Sequence, residues 1–180
     1  MPAKPLLKAK QRHHRKSTLG PSHLSIRSSQ IHEEGVYTGE PIQRGKIVAE
    51  YTGTRLTNEE ADALYDNQYR TYLFGLDDRK HVIDGEGVAA FINHSCDPNC
   101  EVEETGGRIF IRAIRNIVAD EEITYDYNLY DGSLDDAAPC TCGAVNCRGT
   151  MYSEKEIARR QRLSGRKRGG AQRPNRRARR

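Results

Sequence analysis

The chain holds no long apolar run. Its longest uninterrupted stretch is residues 88–92, VAAFI, whereas a spanning helix needs about 20 apolar residues, so a helical membrane protein is excluded. The N-terminal residues are polar and basic and lack the apolar core and cleavage site of a secretory signal, so secretion is not expected. Cysteine is scarce: five in 180 residues, too few and too clustered for a disulfide scaffold. No C-x-x-C occurs, which argues against thioredoxin-like chemistry. An intracellular protein with a metal site is the expectation. What is present is 36% hydrophobic and 30% charged residues at a mean hydropathy of -0.82. That suffices for one compact core but not over the whole length.

The net charge of +4 conceals three blocks. Residues 1–30 carry seven Lys/Arg and no Asp/Glu, a charge of +7. Residues 31–153 carry ten against 23, a charge of -13, and residues 154–180 carry twelve against two, a charge of +10. An acidic middle is thus flanked by basic arms. Residues 164–180 hold no large apolar side chain, cannot offset their ordering entropy, and are expected to be disordered. Two readings of the arms stay open: contact with nucleic acid, or a solubilising tail that folds back on the acidic middle. An acidic domain attracts basic partners and repels phosphates.

Residues 23–31 and 46–51 alternate β-branched and polar residues and read as strands. Thr57 with Glu60 forms a capping box that opens a helix to about Asn67. Residues 69–76 and 81–84 read as short strands, with Asp77, Asp78 and Gly85 marking turns. Gly106 and Gly107 separate two strands of a hairpin. Residues 121–127 form another strand, and Ser153 with Glu156 opens a basic helix to about Leu163. Many short strands, glycine turns and little helix predict a mostly β domain.

Three segments carry candidate chemistry. Cys140, Cys142 and Cys147 stand in a C-x-C-x4-C pattern. Three thiolates so close suit tetrahedral zinc, and Gly143 lets the loop turn around an ion. The fourth ligand must come from Cys96 or Cys100. With sulfur in all four positions the ion is structural, because no position is left open for water. The second segment is N-H-S-C at 93–96, which leaves the apolar run 88–92 as a buried strand entering a turn. Its short polar groups suit either ligand recognition or turn stabilisation. The third is D-E-E-I-T-Y-D-Y at 120–127. Alternation puts Tyr125 and Tyr127 on one face, as core aromatics or as the lining of a pocket for a cation.

Taken together these residues resemble the SET-domain protein lysine methyltransferases with their cysteine-rich post-SET extension. The resemblance covers roughly residues 24–152. Besides the three segments above it includes Ile31-His32-x-x-Gly35-Val36-Tyr37, residues 47–53 (IVAEYTG), Tyr72-Leu73-Phe74 and Val82-Ile83-Asp84-Gly85. It implies a β-clip or SET fold, in which the Asn-His-Ser-Cys and Tyr-Asp-Tyr segments form a pseudoknot, with short helices and a zinc-bound post-SET segment. It further implies S-adenosylmethionine on one face, held by His32, Glu34, Gly35, Tyr72, Asn93, His94 and Thr141. The target lysine enters a narrow channel from the other face. Tyr127 is the implied catalytic tyrosine, Tyr51 and Tyr72 line the pocket, and Tyr125 sets product number, favouring mono- or dimethylation. Cys96, Cys140, Cys142 and Cys147 are the implied zinc ligands, with Cys100 spare.

The implied domain plan is a basic flexible arm over 1–22, the SET domain over 23–130, the post-SET zinc segment over 136–152, and a basic helix and disordered tail over 153–180. The implied substrate is a basic protein, histone or histone-like. Nucleic acid is a partner of the basic tails, no membrane is involved, and the chain is a monomer. Its place is intracellular, cytoplasmic or nuclear and chromosome-associated. Two departures stand out: Glu33 replaces the first glycine of the family's Gly-x-Gly loop, and Ala90 stands where arginine is common. A glutamate held at positive φ is strained, and Glu33 and Glu34 bring two carboxylates near the cofactor's own. The alternative reading is therefore a catalytically weak SET domain acting as a zinc-stabilised protein- or chromatin-binding module.

Overall fold

A computed structural model describes residues 23–65, 72–130, 134 and 137–169, with side chains through residue 164. Nine strands follow in chain order: β1 (Leu24–Ser28), β2 (Glu34–Thr38), β3 (Ile47–Thr57), β4 (Leu73–Gly75), β5 (His81–Glu86), β6 (Asn93–His94), β7 (Cys100–Thr105), β8 (Arg108–Ala113) and β9 (Glu122–Tyr125). Helix α1 (Asn58–Tyr65) follows β3, and helix α2 (Glu154–Gly169) ends the described chain. The hydrogen-bonded path runs β1-β2-β9-β7-β8-β3-β5-β4, with β6 on β9. This is the mostly β architecture with few helices that the sequence predicts.

The elements form for local reasons. At α1 the Glu60 N–H donates to Thr57 Oγ1 at 3.2 Å and the Thr57 N–H to Glu60 Oε2 at 2.8 Å, closing the capping box. At α2 the Glu156 N–H donates to Ser153 Oγ at 3.3 Å. Gly106 and Gly107 both take positive φ, 61° and 73°, which a two-residue hairpin turn needs, and β7 pairs with β8 along its full length. Val36, Val48, Ile109, Ile111, Ile117 and Ile123 fill the core where these strands cross.

Several boundaries differ from the sequence reading. Residues 88–92 do not form a strand: Val88–Phe91 is a single 3-10 turn, and the strand begins at Asn93. Gly85 is not a turn but a position within β5, opposite Gly53 of β3. The Tyr51 hydroxyl occupies the space a Cβ at Gly85 would fill, so the glycine serves close packing. Helix α2 runs past Leu163 to Gly169, into the stretch expected to be disordered. β1 is confined to Leu24–Ser28, and β4 to three residues. The expectations for residues 1–22, 66–71, 131–133, 135–136 and 170–180, including the helix end at Asn67, lie outside the described residues.

The arrangement around β9 positions the site. β6 and β7 both run parallel to it, pairing His94 and Cys100 with Tyr125, and the Ser95 N–H donates to the Tyr125 carbonyl at 3.1 Å. Segments 93–100 and 121–127 are thus laced side by side although far apart in sequence.

Candidate active site and cysteine cluster

Four aromatic side chains meet here: Tyr51 of β3, Phe74 of β4, Tyr125 at the end of β9 and Tyr127 just beyond it. The ring of Phe74 lies 5.2 Å from Tyr51 and 6.2 Å from Tyr125, and Tyr125 lies 5.0 Å from Tyr127. Tyr72 stacks near Phe91 at 5.2 Å. The Tyr51 hydroxyl donates to the Tyr72 carbonyl at 2.7 Å, which ties the residues entering β4 to β3. The Tyr127 hydroxyl donates to the Ile92 carbonyl at 2.8 Å. Burial raises the phenols of Tyr51, Tyr125 and Tyr127 above their ordinary value, so all three stay neutral. A wall of uncharged rings with hydroxyls at its edge penalises an ion lacking partners and favours the hydrocarbon of a long side chain.

His94 sits behind this wall. Its Nδ1 accepts the Tyr127 main-chain N–H at 3.1 Å, which puts the ring proton on Nε2, facing Cys96 Sγ at 3.4 Å. Burial lowers its basicity; Asp126, 3.5 Å away, opposes this, and Arg148 adds to it. The imidazole is therefore a neutral brace. Asp126 stands between the two tyrosines, one residue past the end of β9. Burial pushes its carboxyl up, but the Arg148 guanidinium and the Asn128 N–H together hold it below its ordinary value.

The loop before β2 meets the same knot from the other side. Asn93 Nδ2 donates to the Glu34 carbonyl at 2.9 Å and to Glu122 Oε1 at 2.8 Å. Glu122 also accepts Ser29 Oγ at 2.8 Å and Tyr37 Oη at 3.0 Å. Its carboxylate fills the space a Cβ at Gly35 would need, so Gly35 is required by close approach. Beside Glu122 a cavity of about 420 Å³ lies between residues 28–31 and the loop bearing Thr141, Cys142 and Gly143. That size suits a small organic molecule. His32, just past the cavity-lining Ile31, and Glu34, the first residue of β2, are exposed, and Glu33 between them takes a φ of 30°. The tyrosines Tyr51, Tyr72, Tyr125 and Tyr127 do not line this cavity. The side chains of Asn93 and His94 are engaged within the protein, and neither residue lines the cavity.

The sulfurs of Cys96, Cys140, Cys142 and Cys147 lie within 4.8 Å of one another. Zinc–sulfur bonds of about 2.3 Å at tetrahedral angles put ligand sulfurs about 3.8 Å apart. Cys140 stands 3.8 Å from Cys96 and 3.7 Å from Cys147, so the cage fits such an ion. Main-chain N–H groups of Cys96, Arg148 and Gly149 each donate to a cluster sulfur at 3.4 Å, which favours thiolates. For Cys142, burial acts upward, but N–H donors from Cys96 and Ala144 outweigh it and bring the thiol down to about 6. Cys100 is fully buried away from the cluster, and burial pushes its thiol up to about 12. Of the two candidates for the fourth position, the structure brings Cys96 and not Cys100 to the others.

Sequence reasoning passed over Phe74 and Glu122 as site residues, and over the Asp126–Arg148 pair. Two signals were present: Asp126 alternates with the tyrosines, and Arg148 directly follows Cys147.

Comparison with known proteins adds a second line. A family model described as the SET domain matches residues 33–128. The histone-lysine N-methyltransferase, H3 lysine-4 specific, of Eremothecium gossypii is 41% identical over 143 residues, 71% of this chain and 14% of that protein. The protein of the same name from Saccharomyces cerevisiae is 40% identical over 138 residues, 68% of this chain and 12% of that one. The chain therefore spans about one seventh of the length of these curated relatives. A crystal structure of KRYPTONITE in complex with mCHG DNA and SAH matches with a TM-score of 0.60 and 32% identity, over 72% of this chain and 29% of that one. A second KRYPTONITE complex, which holds mCHH DNA, H3(1-15) peptide and SAH, matches at 0.58 and 30% identity, with the same coverage of both chains.

Proposed function

The chain belongs to the SET-domain family, and on that premise we propose that it transfers a methyl group from S-adenosylmethionine to the side-chain nitrogen of lysine in a basic protein. The observation that carries this reading is the neutral aromatic wall of Tyr51, Phe74, Tyr125 and Tyr127 at the end of the β6–β9 knot. When bound, S-adenosylmethionine supplies an electrophilic methyl on a positively charged sulfur. His32, Glu34, Gly35, Asn93 and His94 hold it, with Thr141 closing from the opposite wall and Tyr72 between cofactor and channel.

An ammonium has no lone pair, so the lysine must first lose a proton. The apolar wall penalises the charged amine and favours the neutral one. Tyr51 and Tyr72 line the channel, and the Tyr127 hydroxyl, steered by the Ile92 carbonyl, fixes where the nitrogen stands. Methyl transfer is an in-line displacement, so this positioning is most of the catalysis. Tyr125 narrows the channel, which suits mono- or dimethylation. Zinc on Cys96, Cys140, Cys142 and Cys147 is structural and pins residues 136–152 to the body over 23–130.

The substrate is a histone or histone-like protein. The names of the relatives support this, as does a net charge of -13 over residues 31–153, which attracts a basic tail. The basic C-terminal residues 153–180 contact nucleic acid. Lys155, Arg159 and Arg162 are exposed on α2, and Arg159 pairs with Glu156 of the same helix. Action on chromatin or a comparable nucleoprotein follows from the two together.

A second reading, a binding module without turnover, draws on Glu33, which holds positive φ where the family has glycine. Heavy-methyl transfer to basic proteins with peptide mapping of the acceptor, run beside cofactor calorimetry, separates the two. Methylated lysine supports the enzyme. Tight cofactor binding without transfer supports the module, and failure to bind the cofactor with the ion in place overturns the catalytic reading.

A further inference from the structure

The Asp126 carboxylate, between the two tyrosines in sequence, meets the cysteine segment. Arg148 grips it as a fork, Nη1 to Oδ2 at 2.7 Å and Nη2 to Oδ1 at 2.8 Å. Both side chains are about one-fifth exposed, 21% and 20%, so the pair is largely shielded from solvent. Arg148 follows Cys147 directly, and its main-chain N–H donates to Cys96 Sγ at 3.4 Å. Cys96 faces His94 Nε2 at 3.4 Å, and His94 Nδ1 accepts the Tyr127 N–H at 3.1 Å. The contacts close into a circuit: cluster, Arg148, Asp126, Tyr127, His94, cluster.

Tyr127 needs such a circuit. β9 ends at Tyr125, so no ladder pairing fixes Tyr127, and at Asn128 the chain turns with a φ of 48°. Among the described residues, other hydrogen bonds between the cysteine segment and the body land at Cys96, through Cys142, Asn146 and Thr150, and at Leu129, through Met151. The fork lands between the two tyrosines.

We propose that the Arg148–Asp126 fork is a latch through which the seated cysteine segment sets the position of Tyr127, making both of them positioning residues for methyl transfer. This rests on the reading of Tyr127 as the catalytic tyrosine. Asp126 meets the reacting groups through its neighbour and Arg148 through Asp126, so neither needs to touch cofactor or lysine. Seating of the ion and competence of the channel are thereby one event.

The test uses the full chain with its ion, as wild type and as Arg148→Gln, Asp126→Asn, the double variant and Arg148→Lys. Metal content, cofactor KM and kcat are measured, together with fluorine NMR of meta-fluorotyrosine placed at position 127. The four cysteines are untouched, so metal content should stay at the wild-type value. Cofactor KM should stay within about threefold while kcat falls about 10- to 100-fold, as misplacement of a reacting geometry does. The fluorine resonance should shift or broaden, Arg148→Lys should recover part of the loss, and the double variant should lose no more than the worse single one.

A kcat within about twofold of wild type with an unmoved resonance overturns the latch. Loss of the ion in step with kcat also overturns it, because the pair then merely seats the metal; so do additive losses. Should the wild type transfer no methyl at all, the proposed function fails separately. The fluorine signal still decides the latch in that case: movement in Arg148→Gln upholds it, and none overturns it.

Discussion

The main-chain N–H of Tyr127 donates to Nδ1 of His94 at 3.1 Å, and this contact orders two things at once. It fixes the imidazole tautomer by making Nδ1 the acceptor. It also sets the backbone that carries the Tyr127 phenol, whose hydroxyl donates to the Ile92 carbonyl at 2.8 Å. Removing only the hydroxyl, as Tyr127→Phe, leaves the backbone contact intact. Methyl transfer should fall about 100-fold or more, as expected for losing one preorganised hydrogen-bonding group, while calorimetric cofactor affinity stays within a few-fold. Near wild-type turnover in this variant removes Tyr127 from the chemistry.

Tyr125 stands against Tyr127 and Phe74, and burial keeps its phenol neutral. Tyr125→Phe removes one oxygen from the tightest part of the wall and leaves room for a bulkier methylated amine. The product mixture should move toward higher methylation, read by mass spectrometry of the acceptor peptide. An unchanged distribution would show that the space is set elsewhere.

The raised phenols also fix a pH dependence. For Tyr51, Tyr125 and Tyr127 the fold favours the protonated form. The stability this gives is full below the ordinary tyrosine value of about 10 and is lost as pH climbs through the higher folded values. Three of the nine tyrosines should therefore show no phenolate absorbance until the protein unfolds. Turnover should show no fall from tyrosine ionisation below about pH 10. Smooth ionisation of all nine in a protein with native circular dichroism contradicts this.

Stripping the ion with a strong chelator leaves four thiols in one cage with no shared partner. The Tm should fall on the order of 10 °C, and residues 137–152 should gain amide exchange ahead of the β3–β8 core. Adding zinc back should restore both. Equal exchange in the two regions would mean that the ion does not pin the segment.

Sequence made some of this plain and hid the rest for identifiable reasons. The capping boxes at Thr57 and Ser153 and the glycine pair at 106 and 107 are local signals, and local geometry obeys them. The cysteine spacing likewise carries its own chemistry. Residues 88–92 misled because a short apolar run has the same composition in a strand and in a buried turn. Gly85 misled because a glycine reserved for packing against Tyr51 looks the same in sequence as one reserved for a turn. Within this chain, Glu122 and the Asp126–Arg148 fork needed coordinates: their partners lie 22 to 93 residues away, and no periodicity links them. The resemblance brought Tyr51 and Tyr72 together with Tyr125 and Tyr127, a pair that alternation alone left as a choice between core and pocket.

Drawing four sulfurs from positions 96 and 140–147 has a consequence for how the molecule assembles. Cys140, Cys142 and Cys147 can begin to gather an ion in a nascent chain, but the last coordination place stays empty until β6 has found β9. Closing such a span costs more chain entropy than closing a hairpin. A complete four-sulfur cage would therefore report that the segment bearing Cys96 and the cysteine loop have already met.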